Sequence, residues 1–184
     1  MAKDRAAFVF SPDADPKLVD DLRSHGMPDG VRYVASVTGP WQILAVVEFD
    51  GLPELPGIVR TLFGTASEGR ADPATATPMA TSQIRKSTYL AETAFVRIRT
   101  DGADPDDTLE RIRGIIDSDE ADQVFGDFDV LAVVVADDEE QVGRTVVQLR
   151  QLDGVLQTVT LRVIDYVSVS PNAPDEKRPS ASSA

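Results

Sequence analysis

The stretch Gln123-Val-Phe-Gly-Asp-Phe-Asp-Val-Leu-Ala-Val-Val-Val135 decides how the chain is read. Val130 to Val135 is an unbroken apolar run rich in β-branched residues, which suits a buried strand better than a short helix. Gly126 and Asp127 supply the turn before it, because glycine accepts φ > 0 and aspartate tolerates or caps tight bends. The stretch has a counterpart. Gly39-Pro-Trp-Gln-Ile-Leu-Ala-Val-Val47 aligns without a gap on Gly126-Asp-Phe-Asp-Val-Leu-Ala-Val-Val134, at an offset of 87 residues. The chain therefore reads as about two copies of one unit.

Outward from the two turns the same order of elements recurs. In the first copy Ala6 to Phe10 is a short apolar strand. Asp15-Pro16 marks a helix start, with Asp as N-cap and Pro at the first helical position. Leu18, Val19 and Leu22 give that helix its apolar face, and Gly26, Pro28 and Gly30 end it. Val31 to Val37 alternates as a strand, and Trp41 to Phe49 is the next. A helix follows from about Pro53 to Phe63, striped by Leu52, Leu55, Val59 and Leu62. Gly64 to Ser82 loses all periodicity and reads as an inserted loop. Ile84 to Ala91 resumes as the closing strand.

In the second copy Ala94 to Thr100 is a strand, and Asp104-Pro105 caps a helix striped by Leu109, Ile112, Ile115 and Ile116. Asp106 and Asp107 are favourable in its first turn against the helix dipole. The opening strand–turn–strand comes next. Asp137 and Glu140 have capping-box spacing before a helix lined by Val142, Val146 and Leu149, and Gly154 suits its C-terminal end. Val155 to Val169 is the last strand. From Ser170 on, the composition is that of a disordered tail. The expected domains are thus residues 1–91, with the insertion at 64–82, and residues 92–169, followed by the tail 170–184.

Each unit reads β-α-β-β-α-β, the order of an α+β ferredoxin-like plait, a four-stranded antiparallel sheet with two helices on one face. The uncovered face carries apolar residues, at Leu44 and Val46 in one unit and Leu131 and Val133 in the other, or at their neighbours. Two such faces satisfy each other if the plaits pack sheet to sheet, as in a dimeric α/β barrel.

Composition narrows the function. The net charge is −13 over 184 residues. An acidic chain repels phosphate backbones, so a broad nucleic-acid-binding face is not expected. There is no cysteine, which excludes disulfides and thiolate chemistry. No apolar run approaches the length of a membrane span. A soluble, cytoplasmic protein is expected. The single histidine, His25, sits near a helix end and reads as a cap or surface residue. No Cys/His cluster offers a metal site, and no phosphate-binding glycine loop or nucleophile elbow occurs.

The motif order resembles the Lrp/AsnC ligand-binding domain, also called the RAM domain. The residues that carry the resemblance are Gly126-Asp127-Phe128-Asp129, Gly154-Val155 and Thr158-Val159-Thr160. It covers most of residues 90–165 and, more weakly, 5–91. In the first copy the turn is Gly39-Pro40-Trp41-Gln42, with an amide where the second has an acid, and Ser87-Thr88-Tyr89 stands at the place of the Thr-x-Thr strand. The resemblance implies a stand-alone tandem form without a helix-turn-helix. It also implies pairing through the sheets into homo-oligomers, and binding of an amino acid or related metabolite in a cleft between units.

The residues can be matched to such a ligand. Asp127 or Asp129 can accept from an ammonium group. The backbone N–H groups around Gly126 and the hydroxyls of Thr158 and Thr160 can donate to a carboxylate. Phe128 can wall an apolar pocket. Gly39, Trp41 and Gln42 are the corresponding first-copy candidates. Each has a structural reading too: Asp129 can cap the turn, the threonines suit any strand, and Trp41 and Phe128 suit a core or interface. The expected function is a non-catalytic sensor or regulatory module with no cofactor. The alternatives are an interaction protein that self-assembles or pairs with an Lrp/AsnC-type regulator, and a small α/β-barrel monooxygenase or haem protein.

Overall fold

The computed structural model describes residues 5–12, 14–15, 17–63, 75–78, 93–117, 120–124 and 126–169. Its elements are β1 (Arg5–Ser11), α1 (Leu18–His25), β2 (Val31–Val37), β3 (Ile43–Phe49), α2 (Leu55–Phe63), β4 (Thr75–Pro78), β5 (Thr93–Thr100), α3 (Pro105–Ile116), β6 (Ala121–Gln123), β7 (Val130–Val135), α4 (Glu139–Gln151) and β8 (Val155–Ser168). The fold is α+β and ferredoxin-like. The strands form one antiparallel sheet in the order β4-β1-β3-β2-β8-β5-β7-β6.

Local chemistry accounts for the helix ends. The Asp104 carboxylate accepts from the Asp107 N–H at 3.1 Å, with Pro105 following it as the first helical residue. At α4 the cap is Asp138, one residue later than the sequence spacing suggests: it accepts from the Gln141 N–H at 2.8 Å, while the Gln141 side chain accepts back from the Asp137 N–H at 3.3 Å. The pair is close to a capping box, except that the Gln141 side chain reaches the N–H of the residue before the cap. The first helix starts at Leu18, after a turn in which the Asp15 carboxylate accepts from the Lys17 N–H at 2.9 Å.

Two features differ from the sequence expectation. A four-residue strand, β4, lies inside the expected 64–82 loop and pairs antiparallel with β1, Ala7 opposite Pro78. Pro78 lacks a donor, which an edge position tolerates. The expected strand Ile84–Ala91 and the tail from Ser170 lie outside the described residues. Secondly, the two halves do not form separate stacked sheets. β8 is 14 residues long; its first part pairs with β5 and its second part with β2, from Val37 opposite Val163 to Tyr33 opposite Ser168. A strand of that length serves both halves and leaves no free edge at their junction.

The sheet also curls over. In the strand order β1 is separated from β5 by three strands, yet the Phe8 and Phe95 rings meet edge to face at 5.9 Å between centroids. A shared apolar layer fills the space between the two halves, and it contains Leu44, Val46, Leu131 and Val133 together with Leu161 and Tyr33. We call this layer the seam. On the outer faces, α1 and α2 cover one half through Val19, Leu22, Leu55 and Leu62. The helices α3 and α4 cover the other through Ile112, Val142, Val146 and Leu149. Burial of each large side chain in these layers contributes roughly 1.5–3 kcal/mol.

Candidate functional site

The two glycine turns identified in the sequence lie at the seam. Gly39 has φ 110° and Gly126 has φ 135°, a region that suits glycine. Each turn delivers one aromatic side chain to the same place. The guanidinium carbon of Arg97, on β5, stands 4.2 Å from the Trp41 ring centroid and 4.0 Å from that of Phe128. A third ring, Phe10 of β1, lies 4.8 Å away. The first half thus contributes two walls and the second half one.

Strand parity fixes which way these groups face. Arg97 is opposite Leu131 on β7 and Val159 on β8, both of which pack into the seam. A charged residue on an inward position is unusual, and Arg97 is 2% exposed. Its Nη1 is buried without a hydrogen-bond partner. Burial pushes the guanidinium down to about 10, against the opposing pull of the nearby Asp127 charge, so it remains a cation at neutral pH. Water is withdrawn from the charge and ring faces replace it, through cation–π attraction of about 0.5–2 kcal/mol per ring. The hydrogen-bonding capacity of Nη1 stays unused.

The residues singled out from the sequence fall into three groups. Phe128 and Trp41 converge on Arg97, and the exposed Asp127 lies close enough to influence its charge. Gly126 and Gly39 shape the turns that carry them. Asp129 is engaged elsewhere: its carboxylate accepts from the Thr100 N–H at 2.7 Å and from the Thr100 hydroxyl at 3.2 Å, tying the turn to the end of β5. Gln42 is exposed, and its backbone links Ser11 and Val37.

Thr158 and Thr160 belong to the opposite face. They stand opposite Ile98 and Val96, which face the helices. The Thr158 hydroxyl accepts from Arg150 Nε of α4 at 2.8 Å, whereas the Thr160 hydroxyl is buried without a partner. The threonines and the aromatic turns are therefore not brought together within one chain.

Arg97 escaped the reading of the sequence, though a signal for it was present. Ala7-Phe-Val-Phe10 and Ala94-Phe-Val-Arg97 stand at the same 87-residue offset as the turns. The registers agree, with Phe10 opposite Leu44 and Arg97 opposite Leu131. Aligned in this way, an inward Phe is matched by an inward Arg.

Among the described residues no group of His, Cys, Asp and Glu is arranged to hold a metal ion. No described helix is long and apolar enough to cross a membrane.

Comparison with known proteins places these features in a family. Two curated relatives, described as uncharacterised HTH-type transcriptional regulators of Pyrococcus horikoshii and Pyrococcus furiosus, are each 38% identical over 88 residues. The match covers 46% of this chain and 57% of each relative, so the chain spans little more than half their length. The model of the Lrp/AsnC ligand binding domain matches residues 93–172, which include Arg97, the Gly126–Asp129 turn and both threonines. Residues 93–172 are therefore similar to the Lrp/AsnC ligand-binding domain.

Proposed function

We propose that the chain is a non-catalytic regulatory module that binds an amino acid or a related small metabolite at the seam between its halves. The observation that carries the proposal is the convergence of Trp41 and Phe128, one from each glycine turn, on a single buried cation. The match of residues 93–172 to a ligand-binding domain supports it.

The domain reading belongs to the same proposal. Residues 1–91 and 92–169 are taken as tandem ferredoxin-like repeats that imitate within one polypeptide the pairing of two separate domains. The strand orders β4-β1-β3-β2 and β8-β5-β7-β6 support this, as do the matched glycine turns. A cytoplasmic location and further assembly into homo-oligomers complete the reading. Calorimetric titration with the twenty amino acids, with gel filtration in their presence and absence, tests it. Heat with at least one of them is expected; no heat and no change in size would refute it.

A second reading is favoured by the relatives' description as HTH-type regulators. In it the chain pairs with a separate DNA-binding regulator of the same family. Co-purification from native lysate with such a regulator, without added amino acid, would favour this reading over the first.

A further inference from the structure

We infer that Arg97 is the carboxylate anchor of the seam, so that the effector is a small organic acid with its carboxylate on Nη1 and its body against Trp41 and Phe128. The inference rests on the reading that the chain binds a small-molecule effector, and adds the group that recognises it.

Three observations lead there. First, Nη1 of Arg97 is a buried donor without an acceptor. Buried donors are nearly always paired, and a guanidinium left short of partners loses the hydration it had in the unfolded chain. Its planar fork matches a carboxylate in geometry, and the apolar surroundings favour a small organic acid over a phosphate.

Second, among the described residues the groups seen over the guanidinium are aromatic rings, none of which accepts from Nη1. Phe10, Trp41 and Phe128 are the groups over the guanidinium. They lie against its faces and leave Nη1 unmet, so a fitting partner approaches Nη1 in the plane of the guanidinium and carries an apolar body.

Third, the arrangement is asymmetric between the halves. At the position matching Arg97, β1 carries Phe10. A second phenylalanine would close the seam as Phe8 and Phe95 do. The charge instead creates one polar point in an apolar layer, on the half that contains the acidic turn.

Access runs past Phe128. It lies in the Gly126–Asp129 turn outside the strands, and a Cβ built at Gly126 meets no atom of the described residues within 4 Å. For a ligand to reach Nη1 the Phe128 ring must shift, and the exposed Asp127, whose charge already reaches Arg97, stands close by. An ammonium group on the ligand finds its acceptor there, and an acid lacking one does without it.

The chain supplies its own reporter. Trp41 is the single tryptophan and lies 4.2 Å from the Arg97 guanidinium carbon. We would titrate the full chain with the twenty amino acids, their 2-oxo acids, benzoate and the corresponding amides, following Trp41 emission and heat, in wild type, R97M and R97K. Circular dichroism confirms that each variant is folded. The expected result is that one or more acids shift the emission. The matching amide then binds at least about tenfold more weakly, R97M loses about tenfold or more, and R97K recovers only part of it, because it keeps the charge and loses the fork.

Acids and amides binding alike, or R97M binding as wild type does, would overturn the anchor while leaving small-molecule binding intact. Binding of benzoate or 2-oxo acids alone would uphold the anchor and overturn the amino-acid reading. An equal response to chloride or sulfate at matched ionic strength would overturn the anchor as an unselective charge effect. Silence from every acid and amide, in emission and in heat, would overturn both.

Discussion

Phe10 and Arg97 hold matching positions on β1 and β5, each opposite a leucine of the neighbouring strand, and the guanidinium carbon of one lies 4.8 Å from the ring centroid of the other. One side of the seam is thus an aromatic ring and the other a cation. Moving a guanidinium from water into such a layer costs several kcal/mol, and no described carboxylate hydrogen-bonds to it. Three ring contacts return about 0.5–2 kcal/mol each. The two nearly cancel, so the arginine contributes little to folding.

That balance gives the first prediction. R97M keeps the volume and apolar stem and removes the buried charge. It should leave stability unchanged or raise it by up to about 2 kcal/mol, measured by urea unfolding at neutral pH. A loss of more than about 2 kcal/mol would mean that the cation is better satisfied than its surroundings indicate.

The second prediction separates the two aspartates of the Gly126–Asp129 turn. Asp129 accepts from both the N–H and the hydroxyl of Thr100. D129A removes those bonds and leaves a part-buried N–H unmet, at a cost of about 1–3 kcal/mol. Asp127 is exposed and acts on Arg97 through space. D127A should change stability by less than about 0.5 kcal/mol yet weaken binding of any ligand that carries an ammonium group. Urea unfolding and calorimetry on both variants give the comparison, and a reversal of the two effects would refute these roles.

How much of this was legible in the sequence follows from what each signal depends on. The strands β2, β7 and β8 could be read because their pattern is long and local. Period-two alternation showed that one set of residues in each central strand faces inward, but whether that set was Leu44, Val46, Leu131 and Val133 or their neighbours was not legible in two unbroken apolar runs. β4 was not legible, since Thr75–Pro78 carries no apolar alternation and owes its place to the edge of β1. Thr158 and Thr160 were rightly placed on a strand, but that they lie on the face away from Trp41 and Phe128 was not legible. Which side of β8 they occupy depends on its register with β5, and no local pattern encodes that. Arg97 was overlooked because a single arginine in a strand is ordinarily solvated. Only the comparison of the two halves sets it apart.

The third prediction concerns the glycine turns. A methyl group at Gly39 would lie 3.0 Å from Leu161 Cδ2, at a position where φ is 110°. Gly126 has an equally unusual φ of 135° but open space around it. G126A therefore meets only backbone strain, on the order of 1–3 kcal/mol. G39A adds a clash with Leu161, which is fully buried in the seam, and should be the more destabilising of the two. Thermal unfolding of both variants decides this; equal melting temperatures would mean that Leu161 yields freely.

The last prediction concerns pH. Arg23 of α1 donates to both carboxylate oxygens of Asp165 on β8, at 2.8 and 2.9 Å, and to the Tyr166 carbonyl at 3.0 Å, fastening a first-half helix to the strand shared by both halves. The hydrogen bond from Arg23 holds the Asp165 carboxyl below its ordinary value, aided by the Tyr166 N–H, while desolvation opposes the shift. A carboxyl whose pKa is lower in the folded chain binds fewer protons there than in the unfolded chain as the pH passes between the two values. Its stabilisation is therefore complete above the unfolded carboxylate pKa, near about 4, and is lost as the pH falls through the lower folded value. The stability gap between wild type and D165N should stay constant from about pH 8 to pH 5 and close below about pH 4. Both partners are about half exposed, so added salt should narrow the gap at neutral pH as well. Urea unfolding of the two proteins across that range measures the gap, and one that persisted unchanged into strong acid would show that the Arg23–Asp165 pair does not fasten the helix.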